Sequence, residues 1–205
     1  GSDPVSANFA AQIVAEYPGG DMTKPFAAAF PSLPPAAQAL LVRGLGDRKD
    51  AGAREVVVTA LGSNDKAVKL AAATALGTVG NEADVPALSA LIAGGDAELA
   101  AAARTALSNV DNKSFDEAIA TAVGTSSGAG KAALVELLSD RMAPKAAATA
   151  LAALGDGDAA VRIAALRSLT KLGGPAEAPA VVNAVKNAAD DTERSEAANA
   201  LNAIA

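Results

Sequence analysis

Apolar and polar positions recur along this chain with a period of 31 residues. Segments starting at Pro34, Asp65, Asp96, Ser127, Asp158 and Asp190 align without internal gaps, spaced by 31 residues four times and by 32 at the last step. Apolar positions fall three, seven, eleven and fourteen residues after each start, which is one stripe of a 3.6-residue helix. Three residues in stand Ala37, Val68, Leu99, Gly130, Val161 and Glu193, and seven in stand Leu41, Ala72, Ala103, Leu134, Ala165 and Ala197. Eleven in, every copy has leucine, from Leu45 to Leu201. Val79, Val110, Leu172 and Ile204 end the stripe, with Arg48 and Arg141 in that place in the first and fourth copies. The pattern predicts amphipathic helices over 34–48, 65–79, 96–110, 127–141, 158–172 and 190–204.

Asp65, Asp96, Ser127, Asp158 and Asp190 stand where an N-cap side chain accepts from the unpaired N–H groups of a first turn. Glu193 completes a capping box with Asp190. A second apolar pair in each repeat, Val57/Leu61, Leu88/Ile92, Ile119/Val123, Ala150/Leu154 and Val181/Val185, has i, i+4 spacing and predicts a second helix. Pro86, Pro144 and Pro179 are expected in first turns, where a missing N–H costs nothing, and Ser114 with Glu117 reads as another capping box. Gly94-Gly95, Gly124, Gly155 to Gly157 and Gly173-Gly174 break the helices apart.

Upstream, Ser6 to Tyr17 and Thr23 to Phe30 predict two short helices outside the register. They read as an N-terminal cap over 6–33, whose rings supply buried area that alanines cannot. Residues 1–5, opening on Gly1-Ser2, read as a cloning remnant or disordered lead. Residues 34–205 read as one repeat array, continuous with the cap as a single solenoid domain. At Ala205 either the last repeat helix is itself a cap, as Glu193, Arg194 and Glu196 allow, or the chain was cut from a longer polypeptide.

Composition narrows the chemistry. Of 205 residues 51% are hydrophobic and 56 are alanine, while only Phe9, Tyr17, Phe26, Phe30 and Phe115 are aromatic, so the core has to close-pack on small side chains. Seventeen basic against 23 acidic residues leave a net charge of −6, which opposes phosphate binding and excludes nucleic acid as an expected partner. His and Cys are both absent, removing His acid–base catalysis, Cys nucleophiles, disulfides and the usual zinc sets. The expectation is therefore no enzyme, no cofactor and no metal. No apolar run reaches the ~20 residues of a membrane span, so no membrane partner is expected. The compartment stays open: no signal peptide opens the chain, yet one could have been removed before Gly1, so the expectation leans to a periplasmic or secreted protein, with the cytoplasm as the alternative.

The strings DKAVKLAAATALGTVG and DAAVRIAALRSLTKLGGPAEAPAVVNAV resemble HEAT repeats, specifically the bacterial kind grouped with phycobilisome-lyase-type repeats. The signature is complete at Asp158, Val161, Arg162, Ala165 and Leu169, and nearly so at Asp65, Val68, Lys69, Ala72 and Leu76. The resemblance covers about residues 34 to 205. It implies an all-α fold, a HEAT/armadillo-like superhelical α-solenoid of about six helical hairpins, with the Val-Arg helix lining the concave side. An Asp six residues before the basic position often joins a ladder in this family, and only Asp156 occupies it here. A second resemblance, through GKAALVELLSDR, is to HEAT segments of large secreted bacterial proteins, often beside domains of the sugar-hydrolase-like type.

Several motifs reduce to ordinary structure. TSSGAGKA at 125–132 lacks the first Gly and the final hydroxyl of a phosphate loop and reads as an inter-helix turn. Ser-x-x-Lys at Ser63 to Lys66 and Ser168 to Lys171 lacks its companion elements. Asp156-Gly157-Asp158 reads as a turn and N-cap rather than a calcium loop. The repeat's basic positions, Lys69, Lys131, Arg162 and Arg194, form either an anion track or a row that reaches to neighbouring carbonyls and carboxylates, the second being the expected role.

On the side opposite the buried stripe, Leu70 and Ile163 stand five residues into their helices. Arg43, Thr74, Thr105, Glu136 and Arg167 stand nine in. An exposed apolar row among small, mostly uncharged residues suits a peptide, so these seven are the candidate partner-binding residues. The expected function is a non-catalytic HEAT-repeat scaffold, a monomer that binds a protein or peptide or positions a domain of the same polypeptide. The alternatives are an accessory domain of a secreted carbohydrate-active enzyme and a phycobilin-lyase-like chromophore-handling protein.

Overall fold

The computed structural model describes residues 12–17, 22–110 and 113–204. The expected leader, 1–5, and residues 6–11 of the first cap helix lie outside the described residues. Residues 12–16 are helical. Twelve further α-helices follow among the described residues. They are α1 (Thr23–Ala29), α2 (Pro35–Asp47), α3 (Arg54–Leu61), α4 (Lys66–Val79), α5 (Val85–Ala93) and α6 (Ala97–Asn109). The remaining six are α7 (Lys113–Thr125), α8 (Gly128–Asp140), α9 (Ala146–Ala153), α10 (Ala159–Leu172), α11 (Ala178–Asn187) and α12 (Asp191–Ile204). The fold is an α-solenoid of helical hairpins, and each of the six predicted first helices is present.

The chain divides into two compact units, Gly1–Leu91 with Gly95–Val110, and Ile92–Gly94 with Asp111–Ala205. In the first, α2, α4 and α6 lie side by side and α3 packs on α4. In the second, α8, α10 and α12 lie side by side, with α7 on α8, α9 on α10 and α11 on α12.

The stripe read from sequence is the core. Leu41, Leu45, Ala72, Leu76, Ala103 and Leu107 are buried in the first unit, and Leu134, Leu138, Ala165, Leu169 and Ala197 in the second. Small residues set the helix spacing. A Cβ built on Gly46 would come within 2.7 Å of Ala75 Cβ, and one on Gly77 within 3.0 Å of Ala106 Cα. At these crossings the helices touch nearly backbone to backbone, which an alanine-rich sequence permits.

Capping follows expectation at four starts. Asp65 accepts from Ala67 and Val68 N–H, Asp96 from Glu98 and Leu99, Asp158 from Ala160, and Asp190 from Glu193. Ser127 holds the N-cap position of α8, but its side chain makes no capping hydrogen bond. Ser114 is the second residue of α7. Pro144 lies in the turn before α9 rather than in its first turn. Glu193 reaches back to Ala189 N–H, one residue short of the predicted box.

The aromatic side chains near the N-terminus differ in burial. Phe30 is buried, but Tyr17 remains 46% exposed. The segment 12–17 is held by the Tyr17 ring, which meets Phe26 edge to face with centroids 6.1 Å apart, and by Arg48, whose guanidinium donates to the carbonyls of Val14 (2.9 Å) and Tyr17 (2.8 Å) and lies 6.0 Å from the Phe26 ring centroid. An arginine at the end of the apolar stripe thus closes the preceding helix by binding its free carbonyls.

Candidate functional site

In the first unit the exposed side of α2 and α4 forms a groove of about 570 Å³. Leu70 lines it, half-buried, with Arg43 and Thr74 beside it and Ala39, Ala67 and Ala71 completing a largely apolar lining. The groove exists because five residues into each helix the side chain is small or aliphatic, while Gly46 and Ala75 keep the two helices close. Three of the seven candidate residues therefore meet around one concavity. Thr105 stands exposed in the equivalent place on α6, its hydroxyl donating to Ala101 O at 2.9 Å.

In the second unit the corresponding face is ionic. Arg167 lies between Glu196 at 2.9 Å and Glu136 at 3.6 Å, and Lys171 pairs with Asp140 at 2.5 Å. Both carboxylates raise the Arg167 pKa above its ordinary value, Glu196 most. Glu136 and Arg167 are thus brought together, with each other and with Glu196, around a recess of about 520 Å³. Ile163 lies half-buried one turn earlier on α10.

The four basic positions do not share one role. Lys131 pairs with Asp156 at 2.7 Å, which holds that carboxyl below the usual range, helped by the Asp158 N–H. Arg162 grips Glu193 through two hydrogen bonds, 2.6 and 2.9 Å, and donates to the carbonyls of Asp156 and Gly157. Arg194 pairs with Asp191 within its own helix at 2.7 Å. Lys69 has no ion-pair partner among the described residues.

Several ion pairs among the described residues escaped the sequence reading. Arg54 binds buried Asp84 through two hydrogen bonds of 2.9 and 2.6 Å, Lys66 bridges Asp96 and Glu98 at 2.9 Å each, and Arg141 meets Asp116 at 2.6 Å. The usable signal was spacing, since Arg54 and Asp84 lie about one period apart, as do Lys66 and Asp96. Among the described residues no cluster of three or more His, Cys, Asp or Glu could hold a metal ion, and no helix is long and apolar enough to cross a membrane.

The family model for HEAT repeats matches residues 23–108 and 116–202. No curated protein sequence matches the chain. Among solved structures, a chain from the complex of CpcE and CpcF of phycocyanin lyase from Nostoc sp. aligns at 18% identity over 100% of this chain and 91% of its own, with a TM-score of 0.49. Human deoxyhypusine hydroxylase in complex with glycerol aligns at 17% identity over 98% and 91%, TM-score 0.42. An engineered protein aligns at 21% identity over 97% and 88%, TM-score 0.40. At these identities the likeness extends to the fold alone. The sequence-based exclusion of an enzyme is nevertheless corrected: two of these structures carry the names of enzymes. A repeat array specifies a fold and leaves catalysis undecided, with or without His and Cys.

Proposed function

The chain belongs to the HEAT-repeat family, and from that premise we propose that it is a scaffold binding a protein or peptide, or a domain of its own polypeptide, through the exposed side of its first-row helices. The observation that carries this reading is the groove between α2 and α4, where Leu70 lies among small side chains with Arg43 and Thr74 beside it. Its size is in the range of ligand-binding concavities, and an apolar surface with a few polar groups suits a peptide side chain. Thr105 extends this surface to α6. In the second unit Arg167 pairs with both Glu136 and Glu196, so these charges hold neighbouring repeats together more than they serve a partner. The repeat basic residues Lys131 and Arg162 have the same supporting role.

The test is selection of peptides from a displayed library against the immobilised chain. Binding of the selected peptides is expected to fall on Leu70→Glu and on Thr74→Trp, and to survive Lys186→Glu on α11. Peptides that bind equally well to all three variants would refute the groove.

A further inference from the structure

Asp156-Gly157 is the one Asp-Gly step in the chain, which has no Asn-Gly step. Such a step is prone to spontaneous rearrangement, because glycine has no side chain to hinder attack by its own nitrogen and its backbone turns freely. In that reaction the Gly157 nitrogen attacks Asp156 Cγ and forms a C–N bond. The bond from Cγ to the carboxyl's hydroxyl breaks, and the hydroxyl leaves with the amide proton as water. Water then opens the succinimide ring at either carbonyl, restoring aspartate or leaving isoaspartate, in which the chain runs through the former side chain. No bulk stands in the way here, since Gly157 is exposed and a Cβ built on it would meet nothing within 4 Å.

The step is instead restrained by hydrogen bonds. Lys131 Nζ donates to Asp156 Oδ2 at 2.7 Å, and the Asp158 N–H donates to Oδ1 at 2.9 Å. Both contacts favour the ionised carboxyl, which has no hydroxyl to lose, and both fix the direction in which Cγ points. Arg162 Nη1 donates to the Asp156 carbonyl at 2.9 Å and to the Gly157 carbonyl at 3.1 Å. The Asp156 carbonyl shares one planar peptide unit with the Gly157 nitrogen, so holding the carbonyl keeps the nitrogen from swinging toward Cγ. We infer that Asp156 is a site of succinimide formation and isoaspartate modification, and that Lys131 and Arg162 restrain the reaction, the first at the electrophile and the second at the nucleophile. Isoaspartate lengthens the backbone by one methylene and moves the free carboxylate onto Cα, away from the place where Lys131 and the Asp158 N–H meet it. The modification therefore breaks the pair that ties α8 to the start of α10. Two of the repeat's basic positions thus protect the backbone as well as joining helices, whatever the α2–α4 groove binds.

The test is incubation of the folded full chain in H₂¹⁸O at neutral pH and physiological temperature, followed by digestion in ordinary water and mass spectrometry of the tryptic peptide 146–162. Each passage through the succinimide and back leaves one ¹⁸O in that peptide, and fragmentation assigns it to Asp156 or Asp158. Lys131→Gln removes the ammonium and leaves Arg162 in place, and is expected to raise uptake at Asp156 about three- to tenfold. Lys131→Arg is expected to stay near the parent. Lys171→Gln breaks the pair with Asp140 without touching Asp156, controls for general loosening, and is expected to leave uptake unchanged. The chain unfolded in guanidinium sets the unrestrained rate. A folded parent that takes up ¹⁸O as fast as the unfolded chain, a Lys131→Gln variant no faster than the parent, equal acceleration by Lys171→Gln, or uptake confined to Asp158 would each overturn the inference.

Discussion

Arg162 and Glu193, 31 residues apart in sequence, join α10 to α12 through two hydrogen bonds of 2.6 and 2.9 Å. Glu193 is only 3% exposed and occupies the place that Val68, Leu99 and Val161 hold in other copies. The pairing has a reason in the loop before it. Asp156 serves Lys131, but the equivalent position one repeat on is Ala188, which has no carboxylate to offer Arg162. Glu193 supplies the missing charge from inside the helix, at the expense of an apolar position in the stripe. The family's Asp ladder is thus present as a single rung at Asp156, and a different residue takes its place at the next step.

Removing one partner of this pair is expected to cost more than removing both. Arg162→Ala leaves Glu193 buried without a counter-charge and should lower stability by roughly 3 kcal/mol, the low end for a buried pair because Arg162 keeps some contact with water. Arg162→Met with Glu193→Val restores the residue type of the other copies at 193 and should recover most of that loss. Urea unfolding of the two variants and the parent measures the difference. Equal losses in both would mean that the ion pair has no coupling.

Acid should weaken the fold in a defined window. Four carboxylates are held below their ordinary range: Asp50 by the Thr23 hydroxyl, Asp96 by Lys66, Asp156 by Lys131, and Glu193 by Arg162 against the opposing effect of burial. A depressed folded-state pKa contributes stability that is fully present above the unfolded value of about 4 and is lost as pH falls through the folded value. With no His in the chain, no imidazole titrates between about pH 5 and 8. Urea midpoints should therefore be flat across that range and fall below about pH 4.5. Glu193→Gln, less stable at neutral pH, should show a shallower fall in acid.

The period of the stripe made the first helix of every repeat legible, because a helix that buries one face must repeat its apolar spacing. Their starts were legible where Asp carries the cap. Ser127 misled because a hydroxyl at a helix start has other options. In sequence the candidate face is one uniform row, yet in the structure it divides by chemistry. Leu70 lies in an apolar groove, whereas Glu136 and Arg167 are consumed by pairs between neighbouring helices. Those pairs follow a rule that the sequence contained: opposite charges about one period apart, such as Arg54 with Asp84 or Lys171 with Asp140, become neighbours once the helices stack.

Two glycines inside helices should respond to alanine in opposite directions. Gly46→Ala would set a Cβ 2.7 Å from Ala75 Cβ and 2.9 Å from its Cα, and backbone cannot give way cheaply, so a net loss of about 1–3 kcal/mol is expected. Gly124, near the end of α7, has nothing within 4 Å of an added Cβ, so Gly124→Ala should gain up to about 1 kcal/mol from helix propensity. Thermal unfolding of both variants supplies the comparison, and a stabilised Gly46→Ala would contradict the close crossing of α2 and α4.

Lys49 and Met142 sit at equivalent places three repeats apart, each just beyond a first-row helix, with φ of 54° and 52°. Left-handed backbone costs a non-glycine residue about 1–2 kcal/mol, while glycine loses roughly 0.5–1 kcal/mol in chain entropy. Met142 is 70% exposed, so little packing is lost with its side chain. Met142→Gly should therefore raise stability by about 0.5–1 kcal/mol, read as an increased urea midpoint. A lower midpoint would mean that the methionine side chain has a packing role despite its exposure.

Arg48 is expected to govern the N-terminal segment without governing the fold. Its guanidinium binds the carbonyls of Val14 and Tyr17 and touches the Phe26 ring, and its Nε donates to the Thr23 hydroxyl at 3.3 Å. Ile13 and Tyr17 are each 46% exposed, so the segment 12–17 contributes little buried apolar area of its own. Arg48→Ala therefore removes the polar contacts that hold the segment and leaves only the edge-to-face contact of Tyr17 with Phe26, while the core of Leu41, Leu45 and Val42 keeps its packing. Hydrogen exchange should accelerate at 13–17 and stay unchanged across α4 and α6. The Arg48→Lys variant keeps the charge, but an ammonium cannot divide its donors between two carbonyls and a hydroxyl in the same planar geometry, so it should give intermediate protection. Uniform loss of protection through α4 would instead place Arg48 among the residues that support the whole first unit.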